Sequence, residues 1–429
     1  MNSFPQILSL LALVLVMGPP AAATAQPAAT GVTLRDALTQ ARAQSPARRA
    51  AVARVEAADL SHSLAGRAPN PMAELRWENW APNLHDRLSY DTFATVTQTV
   101  ELGGKRSARR GVAAAGAQGA RAALWSSERD LDAEIVRRYL VVVRERDHGR
   151  TLTEHADGLA ELVRILERRV AEGVAAEADL DKLRTERARV DIDAMLARMH
   201  AERELAVLAA LVGWSPAPAP ESLEAPALGR LPGTSEPGTP EPRTDEPPAA
   251  LLTAALDRRP DVQQAAARLE AARQTLRFES ARRVPDLQVI GGLKRTSGYD
   301  TGVASVLVPI PLFDRNQPAL ALARGGVTAA ELELAQTRRL ADGQIRAALQ
   351  AAGTLARRSG DADTRLVTPA AVVRSAARAA FESGAGDLLR LVDAERVFAD
   401  ARMAVNALQN DAILAAIEAR LALAEDPVP

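Results

Sequence analysis

Helix-forming residues fill most of this chain, but each half contains a stretch where polarity alternates strictly. Residues 72–80 place Ala73, Leu75 and Trp77 on one face and Glu74, Arg76 and Glu78 on the other. Residues 88–102 continue the pattern. Leu88, Tyr90, Ala94, Val96, Val100 and Leu102 share one face, and Ser89, Asp91, Thr95, Thr97, Thr99 and Glu101 share the other. In the second half, Leu287, Val289 and Leu293 oppose Asp286, Gln288 and Lys294, and Ala304, Val306, Val308, Ile310 and Leu312 fall together. A period of two with one apolar and one wet face predicts strands near 71–80, 88–102, 285–295 and 302–313. Pro309 and Pro311 make the last strand's end irregular, since proline cannot donate to a ladder.

Around these strands the pattern is helical. Asn83 to Ser215 contains no proline, and Ser107 to Ala171 is rich in Ala, Arg, Glu and Leu. Those residues form a helix roughly 100 Å long, which needs neighbours along its whole length and so predicts coiled-coil-like packing. Shorter helices are expected at 33–67 and 249–283. Long ones are expected at 105–171, 177–213, 318–382 and 387–424.

The chain is written twice. VARVEAA at Val52–Ala58 corresponds to AARLEAA at Ala266–Ala272, an offset of 214 that also maps Pro46 onto Pro260 and Pro71 onto Pro285. At an offset of 210, Glu101–Arg106 falls on Pro311–Asn316. Near 211, Glu172-Gly173 approaches Ser383-Gly384. A period this long is a duplication and not a solenoid repeat. The expected units are 26–214 and 249–429. They are joined by Ser215–Pro248, which holds 10 of the 26 prolines and cannot bury a core. Gly173 and Val174, and Gly384 and Gly386, lie where the two long helices of each half must reverse.

The first residues form an address. Ile7 to Met17 is an apolar run too short to span a bilayer; Pro19-Pro20 ends it, and Ala23-Thr24-Ala25 supplies a small-x-small cleavage pattern. This predicts a signal peptide over 1–25, although its n-region lacks Lys and Arg. An N-terminal core strand is the competing reading. No later run is long and apolar enough for a transmembrane helix.

Composition narrows the chemistry. The chain has 429 residues, 3% aromatic, no cysteine, five histidines and a net charge of −1. That balance gives no electrostatic case for nucleic acid. Without cysteine there is no disulfide, thiolate zinc site, cysteine nucleophile or S-linked lipid anchor. HExxH, GxSxG and paired-His zinc spacings are missing, so no enzyme, cofactor or metal site is expected. GGKR at 103–106 is not a phosphate loop, because position 99 is Thr where that loop needs Gly. Met195, Met199 and His200 come nearest to a ligand cluster, but their spacing reads as core packing.

The aromatics concentrate at the strands. Trp77, Trp80, Tyr90, Phe93, Tyr299 and Phe313 suit an interfacial girdle of a membrane barrel. A small soluble sheet capped by helices is the alternative. Four strands cannot close a barrel, and lipid tolerates no open edge, so a membrane-spanning chain must oligomerise; three copies supply twelve strands.

The repeated helix–hairpin–long-helix order resembles the TolC-type outer-membrane efflux ducts from about Val32 to Leu423. Gln98–Arg106 (QTVELGGKR) and Pro311–Gln317 (PLFDRNQ) resemble the strand-to-helix junctions of their heavy-metal, CzcC-like branch. The resemblance implies a mostly α fold with a small membrane β part. It implies a homotrimer with a 12-stranded β-barrel in the outer membrane, standing on a periplasmic α-helical coiled-coil barrel. Its partners would be a periplasmic adaptor (membrane fusion) protein, an inner-membrane RND transporter and outer-membrane lipid. The cargo would be heavy-metal cations, with drugs or other small molecules, or proteins in type I export, as alternatives. A periplasmic coiled-coil adaptor is a further rival, though it would have one helical hairpin and no duplication.

On that resemblance, Gly103, Gly104, Lys105, Arg106, Pro311, Asp314 and Arg315 make the strand–helix junctions. Lys105, Arg106, Arg109 and Arg110 would lie near the inner leaflet boundary or form a solvated basic face. Gly173, Val174, Gly384 and Gly386 become the adaptor-docking tips. Asp179 and Asp393 match the acidic positions lining the periplasmic aperture. Arg390 stands where better-known members carry another acid, a departure from a doubly acidic ring. The competing reading of all three is an ordinary exposed coiled-coil face.

Overall fold

The computed structural model describes residues 31–79, 90–227 and 249–428. The expected signal peptide, the first two residues of the second expected strand, Trp80 and most of the proline-rich connection lie outside the described residues.

The first half runs α1 (Leu34–Gln44), α2 (Pro46–Leu64), β1 (Met72–Glu78), β2 (Asp91–Val100), α3 (Lys105–Ala171) and α4 (Glu177–Val212). The second runs α5 (Ala249–Arg258), α6 (Pro260–Ala281), β3 (Leu287–Thr296), β4 (Tyr299–Leu307), α7 (Gln317–Gly360), α8 (Thr368–Glu382) and α9 (Leu388–Ala422). Pro46 and Pro260 each open a helix, where a missing N–H costs nothing. Thr33 starts α1 with a reciprocal capping box to Asp36.

α3 has 67 residues and is unbroken. Its buried positions Leu152, Leu159 and Leu166 repeat every seven residues against Leu183, Val190, Ala194 and Ala197 of α4. The alternating three- and four-residue steps are those of a coiled-coil seam, and alanine lets the axes approach. A second cluster, around Ile135, Tyr139, Leu205 and Leu208, joins α1, α3 and α4. There the Tyr139 hydroxyl reaches the carbonyls of Val32 and Glu224, tying both ends of the first half together.

The second half departs from the pattern in two places. The expected helix over 318–382 is interrupted. α7 ends at Gly360, a π-turn occupies Asp363–Val367, and α8 follows. Pro369 explains the break, because its ring excludes the carbonyl four residues back and it offers no N–H; the first half has no proline at this depth. The last two strands are also joined more tightly than alternation predicts. Ser297-Gly298 forms a two-residue turn with φ of 48° and 90°. Two positive φ values match the twist of a hairpin. β4 therefore begins at Tyr299 and ends at Leu307, before the prolines, and not over 302–313.

The sheet is antiparallel in the order β1-β2-β3-β4. Its central pair, β2–β3, joins the two halves, and β1 and β4 are left as edges. The molecule is thus mostly helical with one small sheet at one end of the long helices.

Candidate functional site

The ladder register assigns every strand residue to a face. Ala73, Leu75 and Trp77 align with Val96, Ala94 and Thr92, and onward with Gly291, Leu293 and Arg295. On this face Leu75 is 65% exposed, Trp77 60%, Leu293 59% and Val306 62%. On the opposite face Asp91, Thr95 and Thr97 are only 7–8% exposed. The sheet is inverted relative to a water-soluble one, because most of its apolar side chains face outward while the polar side chains of β2 on the other face are sheltered. The edge-strand charges Glu74, Arg76 and Glu78 remain about half exposed. A lipid-facing exterior and a wet interior demand this arrangement.

The girdle expectation divides along these faces. Trp77 points outward. Phe93 and Tyr299 carry the parity of the inner face, where Phe93 pairs with Arg76 and Lys294, and Tyr299 with Thr296. Tyr90 precedes β2 and is exposed, and Phe313 lies beyond β4, almost fully exposed. Phe93 is therefore not a girdle residue. It is tolerated on this polar face because cations cover its ring, with the Arg76 guanidinium 4.5 Å and the Lys294 ammonium 5.1 Å from the centroid.

The junctions are built for tight chain reversal. Gly103 and Gly104 both have positive φ (67° and 76°), and a Cβ on Gly103 would sit 2.6 Å from the Val284 Cβ. Lys105 is not part of a solvated basic face. It is buried, and its Nζ lies 2.7 Å from Asp286 Oδ1, which also accepts the Leu102 N–H. Arg106 donates to the Gly66 carbonyl. Arg109 pairs with Glu101 and donates to the carbonyls of Ala65 and Arg67. These basic side chains clamp α2 to α3.

In the second half Asn316 takes the left-handed N-cap position of Gly104, with φ 61°. The structural offset here is therefore 212 and not 210. The Asn316 amide donates to the carbonyl and side chain of Glu279, Asp314 accepts the Asn316 N–H, and Arg315 donates to the Pro311 carbonyl.

At the far end both helical hairpins reverse through the same motif. After α3, the Gly173 N–H donates to Val170 and the Val174 N–H to Arg169. After α8, Gly384 donates to Phe381 and Ala385 to Ala380. This is the Schellman cap, with glycine at the left-handed position (φ 73° and 79°). Gly386 is also required, since a Cβ would meet the Ala380 carbonyl carbon at 2.9 Å. Arg169 joins the tips. It stacks on the buried Phe381 ring at 4.4 Å and donates to the Phe381 carbonyl at 2.8 Å. Neither this pair nor Lys105–Asp286 was legible from local spacing.

Asp179 lies in the first turn of α4, and Arg390 and Asp393 lie one turn apart on α9, all exposed. The structure places them beside the two tips but brings no two of them into an ion pair, among the described residues. Asp179 also suits the positive end of its helix, whatever else it does.

Between α3, α4 and α9 lies a groove of about 370 Å³, lined by His148, His155 and His200 with Glu145, Asp193 and Asp400. Burial pushes the His155 imidazole below its ordinary pKa. Among the described residues no three His, Asp or Glu side chains are grouped to hold a metal ion. Met195 and Met199 are not core residues. They are 51% and 56% exposed, on a stripe with Ile192 and Leu196. Among the described residues no helix is long and apolar enough to cross a membrane.

Comparison with known proteins bears on the family and the fold. Residues 251–425 match the family described as outer membrane efflux protein. The chain is 30% identical over 315 residues to the cobalt-zinc-cadmium resistance protein CzcC of Cupriavidus metallidurans, covering 72% of this chain and 71% of that protein. Its fold is similar to that of a membrane protein from Pseudomonas aeruginosa (TM-score 0.75, 18% identity, 96% of this chain and 97% of that one). It is also similar to the outer membrane protein VceC of Vibrio cholerae (TM-score 0.72, 20% identity, 92% and 96%). A third similar structure is CusC, solved in a study of transmembrane channel formation (TM-score 0.73, 17% identity, 94% and 95%).

Proposed function

The chain belongs to the outer membrane efflux protein family, and from that premise we propose that it is the homotrimeric exit duct of a tripartite pump for heavy-metal cations. It is an outer-membrane efflux channel, with its long helices on the periplasmic side. The observation that carries the finer reading is the inverted sheet. Its outward face is apolar and exposed, yet β1 and β4 leave two open edges. Lipid tolerates no unpaired strand edge, and four strands cannot close. Three copies joined edge to edge supply twelve strands with no edge left. The stripe Ile192, Met195, Leu196 and Met199 gives the helices an apolar face for a second copy in the same assembly.

In this reading residues 1–25 are a signal peptide removed on export, 26–214 and 249–429 are the two structural repeats, and 215–248 connects them. The tips at Gly173, Val174, Gly384 and Gly386 dock a periplasmic adaptor, which links the duct to an inner-membrane RND transporter. Asp179 and Asp393 surround the periplasmic mouth, where threefold symmetry multiplies each carboxylate into a local negative field that favours cations. The duct performs no chemistry; cargo selection rests with the pump.

Heavy metals are favoured over drugs because CzcC, to which the chain is similar over most of its length, is a cobalt-zinc-cadmium resistance protein. Growth of a deletion strain across graded zinc, cobalt, cadmium, nickel, copper and silver, beside a drug panel, tests this. Sensitivity to one group of metals, restored by the gene, is expected. Sensitivity to drugs alone would overturn the cargo while leaving the duct.

A further inference from the structure

Among the described residues the inner face of the sheet carries five charged side chains, and all of them crowd into three successive rows at the hairpin end. Register aligns Arg76, Phe93, Lys294 and Thr301 directly across all four strands. One row towards the hairpin turn, Glu78 pairs with Asp91; one row away from it, Glu74 faces Thr95. Beyond Glu74, towards the helices, the inner face of the strands continues with Thr, Gln, Ser and apolar side chains and no charge.

The rows are bound to one another. Lys294 Nζ lies 2.9 Å from Asp91 Oδ2, and Arg76 lies 3.3 Å from Glu78 and 4.0 Å from Glu74. Between the two cations the Phe93 ring is held face-on. A wet lumen needs only hydroxyls and amides, as its lower part shows. The Arg76 pairs are exposed and contribute little to stability, so folding alone does not account for the charge in those rows.

We infer that these rows form a charged collar inside the outer mouth of the barrel, which sets its ion preference and narrows it around Phe93. The inference rests on the barrel reading above and deepens it. Among the described inner-face residues three acids against two bases leave a net charge of −1 in each copy, tripled by closure. Successive inner-face residues are about 7 Å apart, so the collar spans roughly 14 Å of the path. A crossing ion comes within about 10 Å of fixed charge, the screening distance at 0.1 M salt. Hydrated divalent cations pass a weakly negative collar, whereas anions are disfavoured and bulky solutes meet the stacked Phe93. The collar is thus a second selective element, at the opposite end from the tip aspartates.

The test is planar-bilayer recording of purified trimers, each variant first shown to run as a trimer. All are recorded in an Asp179→Asn/Asp393→Asn background so that the periplasmic mouth does not mask the outer one. Glu78→Gln/Asp91→Asn should lower the potassium-to-chloride permeability ratio at least about twofold, and Arg76→Gln/Lys294→Gln should raise it by a similar factor. Phe93→Ala should increase conductance. Trimers of both charge variants that keep the parental ratio would overturn the collar. Trimers of the parent that form no channel would overturn the duct reading and the collar with it.

Discussion

The ammonium of Lys105, the first residue of α3, lies 2.7 Å from the carboxylate of Asp286, 181 positions further along the chain and just ahead of β3. The contact fastens the strand-to-helix exit of the first half to the strand entry of the second. The same carboxylate accepts the Leu102 N–H, so one acid holds both sides of the reversal.

Removing that acid should therefore damage the junction. Asp286→Ala leaves a buried ammonium without its partner, and breaking such a pair costs about 3–5 kcal/mol. The thermal midpoint of the trimer should fall on denaturing gels run after graded heating. Lys105→Met/Asp286→Leu, which removes both charges, should recover much of the loss.

Arg169→Ala should loosen the two tips from each other. It removes a cation–π contact and a charged hydrogen bond to a helix-end carbonyl, together worth roughly 2–4 kcal/mol. Limited proteolysis near Gly173 and Gly384 should quicken while the trimer persists. Arg169→Lys should restore only part of the protection, since an ammonium cannot stack and fork at once.

Two buried groups give opposite dependences on pH. Burial raises the Glu395 pKa above 4.5, with Arg374 no nearer than 4.0 Å, so its ionised form costs stability above the raised value and that cost fades as pH falls towards 4.5. Glu395→Gln should raise the melting temperature at neutral pH and change it little near pH 4.5. Burial lowers the His155 pKa below 6.5, so its stability is intact above 6.5 and is lost as pH falls through the lowered value. Glu186 and Asp400 oppose that shift, and Arg189 and Arg396 reinforce it. His155→Gln should flatten the melting curve's dependence on pH below 6.5.

The two faces of the sheet should respond differently to charge. Leu293→Arg puts a cation on the outward face, where lipid exposure near mid-membrane costs roughly 2–4 kcal/mol. Ser305→Lys puts one on the inner face, which is wet in the proposed barrel. The first should reduce the heat-stable trimer recovered from outer membranes, and the second should not.

Much of this fold was legible because it rests on local rules. Prolines at 46 and 260 opened equivalent helices, glycines at 173 and 384 marked equivalent reversals, and alternation separated the faces of β1 and β2. The errors arose where one rule was read without another. Phe93 shares the parity of Asp91 and Thr95, so its inward position was in the sequence, but its aromatic character pointed to the girdle. Pro369 signalled the break after α7, yet the repeat suggested a continuous helix. Lys105–Asp286 and Arg169–Phe381 had no local signature, because each joins residues that only the duplicated topology brings together.

The central claim is that each chain contributes one third of a closed barrel. The chain has no cysteine, so introduced pairs report without background. Single cysteines at Ala73, Leu75 or Trp77 of β1 would be combined with one at Gly302, Ala304 or Val306 of β4. Bridging requires Cα atoms about 4.4–6.8 Å apart, which only directly paired edge strands provide. In outer membranes oxidised before denaturing electrophoresis, at least one register should yield a covalent ladder ending at three chains. A ladder continuing beyond three, or ending at two, would contradict it.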